Sequence, residues 1–157
     1  MTEAATVYFA YGSNLWREQM NLRCPENNFL GVGLLKEWRW IINGRGYANI
    51  VPSKTGDDVY GLLYKINGVD EKVLDLYEGI PTSYQKKILP VMILGTDNKD
   101  NTMINCLVYV DTERVLDSIP KDEYIGRMNK GITDAVKEGV PKNYVDKYLR
   151  RYIPDEH

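Results

Sequence analysis

Apolar positions follow a strand-like spacing through the first two thirds of the chain and a helical spacing near its end. Residues 7–11, Val-Tyr-Phe-Ala-Tyr, form a short apolar and aromatic run that stops at Gly12-Ser13-Asn14, which predicts a buried first strand closed by a tight polar turn. Residues 15–22 predict a short helix. Residues 29–43 read as strand, with Leu30, Val32, Leu34, Leu35, Trp38, Trp40, Ile41 and Ile42 carrying the apolar content. The turn-rich Asn43-Gly44-Arg45-Gly46 follows. Residues 47–51 form a brief strand ended by Pro52, and 59–66 a clear one with Tyr60, Leu62 and Tyr64 on one face.

Asp70 is a suitable N-cap for a helix running to Tyr77 or Glu78, with Val73, Leu74 and Tyr77 on one stripe and Gly79 placed to stop it. Residues 84–94 and 103–110 predict a strand pair joined by a polar loop at 95–101. In the tail, Tyr124, Ile125, Met128, Ile132 and Val136 form the apolar stripe of a helix over about 121–138. A second helix is expected over 141–152, with Pro141 at its first position. No repeat or linker interrupts the pattern. The expectation is one domain over 1–157, core about 7–153, with a strand-rich front and a helical tail sharing one core.

Composition narrows the chemistry. The chain has 157 residues, 43% hydrophobic and 27% charged, enough for a real core without disulfides or a structural metal. Twenty Lys and Arg against twenty-two Asp and Glu, interspersed, leave no electrostatic footprint for nucleic acid or an anionic membrane. No basic leader or apolar run of spanning length is present, so a cytoplasmic protein is expected. The single histidine, His157, is the last residue, which argues against Ser-His-Asp and Cys-His nucleophile systems. Cys24 and Cys106 stand far apart without internal histidines, so no usual zinc or copper site is expected.

Three features could carry chemistry. In Tyr11-Gly12-Ser13-Asn14-Leu15, Gly12 permits close backbone approach, and successive N–H groups after a strand can form an anion-binding concavity; the pentapeptide equally reads as a plain strand-ending turn. Ser13 is in neither a nucleophile elbow nor a phosphate loop. Glu78, at a predicted helix C-terminus, faces the negative end of the macrodipole, which raises its pKa toward the range of proton transfer. It also reads as a surface glutamate before a capping glycine, and Asp75, three residues earlier, competes for any acid-base role. Tyr84 and Tyr124 could line a polar pocket or simply pack. Sequence spacing does not bring them together.

Jointly, the segments Tyr8-Phe9-Ala10-Tyr11-Gly12-Ser13-Asn14-Leu15, Val59 to Tyr64, Leu74-Asp75-Leu76-Tyr77-Glu78-Gly79 with Tyr84 beyond, Tyr124, Gly131 to Ala135, and Gly139-Val140-Pro141-Lys142-Asn143-Tyr144 resemble the γ-glutamylcyclotransferase family in content and order. The resemblance implies an α+β fold, a single domain with a mixed β-barrel flanked by helices and a cavity at one end, with no metal or other cofactor. It implies a lyase-type reaction by internal acyl transfer: a γ-glutamyl amino acid becomes 5-oxoproline and a free amino acid. On that pattern Glu78 is the catalytic carboxylate, Tyr11, Gly12, Ser13, Asn14 and Leu15 form the substrate-binding loop, and Tyr84 and Tyr124 line the site. Asn14 favours γ-glutamyl amino acids over two alternatives, γ-glutamyl amines and glutathione. A non-catalytic module binding a small metabolite or a protein on the same fold is the alternative of another class. Some relatives form homodimers, which leaves a homodimer open here.

Overall fold

The computed structural model describes residues 5–80, 82–94 and 102–155. The loop expected at 95–101 and the terminal histidine lie outside that set. Five strands close into a barrel in the order β1 (Thr6–Ala10), β5 (Asp58–Ile66), β2 (Asn28–Lys36), β6 (Gln85–Ile93), β7 (Thr102–Val110). Neighbours are antiparallel except β1 and β7, which run parallel and meet at one register pair, Tyr8 opposite Leu107. The barrel is therefore mixed. A separate two-stranded ribbon, β3 (Trp38–Ile42) with β4 (Ala48–Pro52), stands beside it.

β5 is paired along both edges, and its buried residues fall on both faces: Val59, Leu62, Leu63, Tyr64 and Ile66. A strand enclosed in this way shows a nearly continuous apolar run rather than the one-faced alternation of Tyr60, Leu62 and Tyr64. Residues 29–43 are two strands in different sheets. Glu37, with φ 69°, turns the chain between them, and its backbone is satisfied across the turn: its N–H donates to Asp57 O and its carbonyl accepts from the Ser53 N–H.

The helices correct two expectations about caps. After a 3₁₀ turn at Ser13–Leu15 comes α1 (Arg17–Arg23), and later α2 (Gly68–Glu78). The N-cap of α2 is Asn67, whose side chain accepts from the Asp70 N–H at 2.8 Å. Asp70 is instead buried in the first turn, and its carboxylate accepts from the Glu26 N–H at 3.2 Å, tying α2 to the end of α1. Leu74 is fully buried, but Tyr77 is 60% exposed, its ring covered by the Arg23 guanidinium rather than by the core. Gly79 ends α2 in the left-handed conformation.

In the tail, α3 (Asp122–Glu138) buries Tyr124, Met128, Gly131, Ile132 and Ala135. Val136, expected on that stripe, is exposed. Pro141 is the N-cap of α4 (Lys142–Tyr144) rather than its first residue, and the chain then winds as a π turn over Val145–Leu149 instead of continuing as regular helix to 152. No helix among the described residues is long and apolar enough to cross a membrane.

Candidate active site

The end of β1, the 3₁₀ turn, the C-terminus of α2, the turn after β3 and the first turns of α3 converge on one cavity of about 370 Å³. Of the residues singled out in the sequence, Tyr11, Gly12, Ser13, Asn14, Glu78, Tyr84 and Tyr124 all line it. Leu15 does not: its side chain is 2% exposed and lies in the core against Gly131 of α3, where it anchors the loop rather than facing the cavity. Asp75 is also outside. Its carboxylate accepts from the Tyr109 phenol at 2.7 Å and from Lys86 Nζ at 3.1 Å, so it ties α2 to the barrel.

The loop is fixed both by its neighbours along the chain, on β1 and α1, and by Tyr124 of α3. Asn14 is buried, with Nδ2 donating to Tyr8 Oη at 3.0 Å and Oδ1 accepting from Gln19 Nε2 at 2.9 Å and Arg23 Nη1 at 3.3 Å. Ser13 N–H donates to the Tyr124 phenol oxygen at 3.2 Å. A Cβ at position 12 would lie 2.9 Å from that same oxygen, which explains glycine there. The N–H groups of Ser13, Leu15 and Trp16 are thus taken, by Tyr124, Gly12 O and Ser13 O. Those of Gly12 and Asn14 have no protein acceptor among the described residues, so the concavity expected for the loop reduces to two donors.

Tyr84 and Tyr124 meet through Ala48 of β4. Tyr84 donates to the Ala48 carbonyl at 2.6 Å, and Tyr124 is bonded by the Ala48 backbone. Burial raises the pKa of both phenols, Tyr124 up to about 12, and the Glu78 charge adds to each rise. Burial also pushes Tyr8 and Tyr11 well above the ordinary value, with the Glu78 charge the next cause at Tyr8 and Tyr84, ahead of Glu78, at Tyr11. All four are neutral at physiological pH. The protons of Tyr11 and Tyr84 are committed to the carbonyls of Tyr109 and Ala48. That of Tyr8 has no protein acceptor among the described residues and remains available to a ligand, whereas Tyr124 also has the Ser13 side chain within hydrogen-bond reach.

Glu78 is half-buried at the cavity wall. Its carboxylate has no hydrogen-bond or ion-pair partner among the described residues. Desolvation raises its pKa to about 7, opposed by the positive charges of Arg23, Arg127 and Arg45. The rise expected from the helix end has the same direction as the rise from burial, the cause that the structure supplies. The three arginines were missed, as were Tyr8, Tyr47 and Tyr109. Each lies on a different element from Glu78, and only Arg45 stood in a segment already marked as a turn. No cluster of three or more His, Cys, Asp or Glu that could hold a metal ion occurs among the described residues.

The closed barrel thus carries a polar cavity walled by neutral phenols, with the Glu78 carboxylate, unpaired among the described residues, and three guanidiniums on its lining. The family described as gamma-glutamyl cyclotransferase, AIG2-like, matches residues 8–126, and the chain belongs to it. It is 30% identical over 165 residues to the gamma-glutamylcyclotransferase of Mus musculus, covering 96% of this chain and 80% of that one. To the gamma-glutamylcyclotransferase of Homo sapiens it is 29% identical, covering 99% and 82%. A solved structure titled gamma-glutamyl cyclotransferase superposes with a TM-score of 0.80 at 25% identity, covering 98% of this chain and 91% of that chain.

Proposed function

We propose that this chain releases 5-oxoproline and a free amino acid from γ-glutamyl amino acids, with Glu78 as the general base and then the general acid. The observation that carries this reading is the unpartnered Glu78 carboxylate, poised near pH 7 on the wall of the cavity that the Tyr11 to Asn14 segment also lines. The chemistry needs little else. The substrate supplies its own nucleophile: its α-amine attacks its own γ-carbonyl, a C–N bond closes the five-membered lactam, and the original amide C–N bond breaks. That amine, with a pKa near 8, is mostly ammonium at neutral pH, so a base must take a proton before it can attack. Glu78 accepts that proton and returns it to the departing nitrogen, and the second proton that the attacking nitrogen sheds on becoming the lactam N–H follows through the same carboxylate, so that the amino acid leaves as its ammonium form. The free N–H groups of Gly12 and Asn14 and the phenol proton of Tyr8 are donors for a carboxylate or a developing oxyanion, holding the flexible glutamyl chain folded toward attack. No nucleophilic side chain and no cofactor enters the reaction.

The test is direct. The purified protein is incubated with γ-glutamyl-alanine, glutathione and a γ-glutamyl-lysine amide, and 5-oxoproline is followed by mass spectrometry. Release from γ-glutamyl-alanine is expected to be fastest; none from any of the three points to a non-catalytic module. Glu78→Gln should lower kcat by roughly 10²- to 10⁴-fold with substrate binding retained, and the acid limb of kcat/KM, inflecting near pH 7 in the wild type, should disappear.

A further inference from the structure

The charges around the cavity do not balance. Arg23, Arg45 and Arg127 line it together with the single carboxylate Glu78. Arg127 is already neutralised by Glu123, in a two-pronged pair at 3.0 and 3.1 Å. Arg23 and Arg45 have no carboxylate partner among the described residues. Arg23 donates to Asn14 Oδ1 and covers the Tyr77 ring at 4.0 Å, so it belongs to the loop end of the cavity. The Arg45 guanidinium makes no hydrogen bond or ion pair among the described residues. It has only a distant approach to the Tyr47 ring, 5.7 Å from the centroid. It is exposed, which puts it at the mouth.

The turn that carries Arg45 is held firmly nonetheless. The fully buried Asn43 accepts from the Arg45 N–H at 3.0 Å and donates to the buried Asp111 carboxylate at 3.0 Å. The neighbouring Gly46 carbonyl accepts from the Lys121 N–H at the start of α3. The pinned backbone places at the cavity mouth a guanidinium that is unpaired among the described residues and can take an anion.

We infer that Arg45 binds the free carboxylate of the leaving amino acid, so that this cavity selects γ-glutamyl substrates with a second carboxylate over γ-glutamyl amines. The inference rests on the reading of the chain as a cyclotransferase. The count supports it: two unpaired guanidiniums match the two carboxylates of a γ-glutamyl amino acid, one on each side of the reacting amide. An amine-derived substrate carries one carboxylate and leaves one guanidinium unmatched. The ordering by depth is compatible with it: Glu78 is half-buried, Arg45 is exposed at the mouth, and a leaving residue has to depart toward solvent.

The experiment compares γ-glutamyl-alanine with γ-glutamyl-ethylamide, the same molecule without the leaving residue's carboxylate, on wild type, Arg45→Gln and Arg45→Lys. Wild type should prefer γ-glutamyl-alanine by about 10- to 100-fold in kcat/KM, expressed mainly in KM. In Arg45→Gln that ratio should collapse toward unity, through a raised KM for γ-glutamyl-alanine, and Arg45→Lys should restore part of it. Equal turnover of both substrates by the wild type, or a ratio unchanged in Arg45→Gln, overturns the inference while leaving the cyclotransferase reading intact. If wild type releases 5-oxoproline from neither substrate, the parent reading is overturned, and this one with it.

Discussion

Glu78 holds its carboxyl in a place that disfavours charge, and this has a cost that can be measured apart from activity. Its pKa in the folded protein, about 7, lies above the ordinary 4.5, so the fold favours the neutral form. The stability this contributes is complete below about pH 4.5 and is lost as pH rises through about 7. Above that, the folded protein carries an ionised group in a desolvated position. Glu78→Gln removes the penalty. The variant should therefore be the more stable one at pH 8.5, by on the order of 2 kcal/mol once the group's partial exposure is allowed for, and nearly equal to wild type at pH 4.5. Thermal unfolding at the two pH values checks this; a variant less stable at pH 8.5 would mean that the three arginines outweigh burial. At this scale Glu78 was legible in the sequence because a carboxylate before a capping glycine breaks the usual preference for a cation there. Arg23, Arg45 and Arg127 were not, since each is an ordinary surface residue on its own segment and becomes part of the site only through the fold.

At the scale of elements, the aim of Glu78 depends on how α2 ends. Gly79 sits at φ 65° and ψ 46°, its N–H bonded to the carbonyl of Leu76, and a Cβ there would lie 2.9 Å from Ser83 Oγ. Gly79→Ala should destabilise the protein by about 1–2 kcal/mol and lower turnover as well, because the strain falls on the residue beside the carboxylate. Urea unfolding together with 5-oxoproline release reads both effects; loss of stability with normal turnover would separate the cap from the site. The same scale shows where pattern reading stopped short. The apolar pattern of 29–43 shows no break because β2 and β3 both carry large apolar side chains, and the turn between them at Glu37 involves neither glycine nor proline. Asn67 was passed over as the cap of α2 because Asp70 is an equally good capping type; only the partner of its carboxylate, the Glu26 N–H on another segment, decides between them.

For the whole molecule, the ribbon and the barrel are joined at the site. Trp40 of β3 is fully buried and donates from Nε1 to the Tyr11 carbonyl at 2.8 Å, where the barrel strand gives way to the glycine turn. Trp40→Phe keeps a ring but removes this donor. It should cost about 2 kcal/mol, read as a lower urea midpoint with an unchanged slope, and should reduce turnover by loosening the loop. The mixed barrel itself was expected from the family resemblance rather than from periodicity, which does not reveal that the first and last strands lie side by side. That closure also governs when the site can exist during synthesis. β1 leaves the ribosome first, but its partners follow only after residue 58 and then after residue 102, and the Tyr124 phenol that receives Ser13 comes later still. Contacts so distant along the chain form late. A nascent chain therefore carries its glycine turn unsupported until α3 has followed, and the pocket is completed only once Tyr124 has emerged.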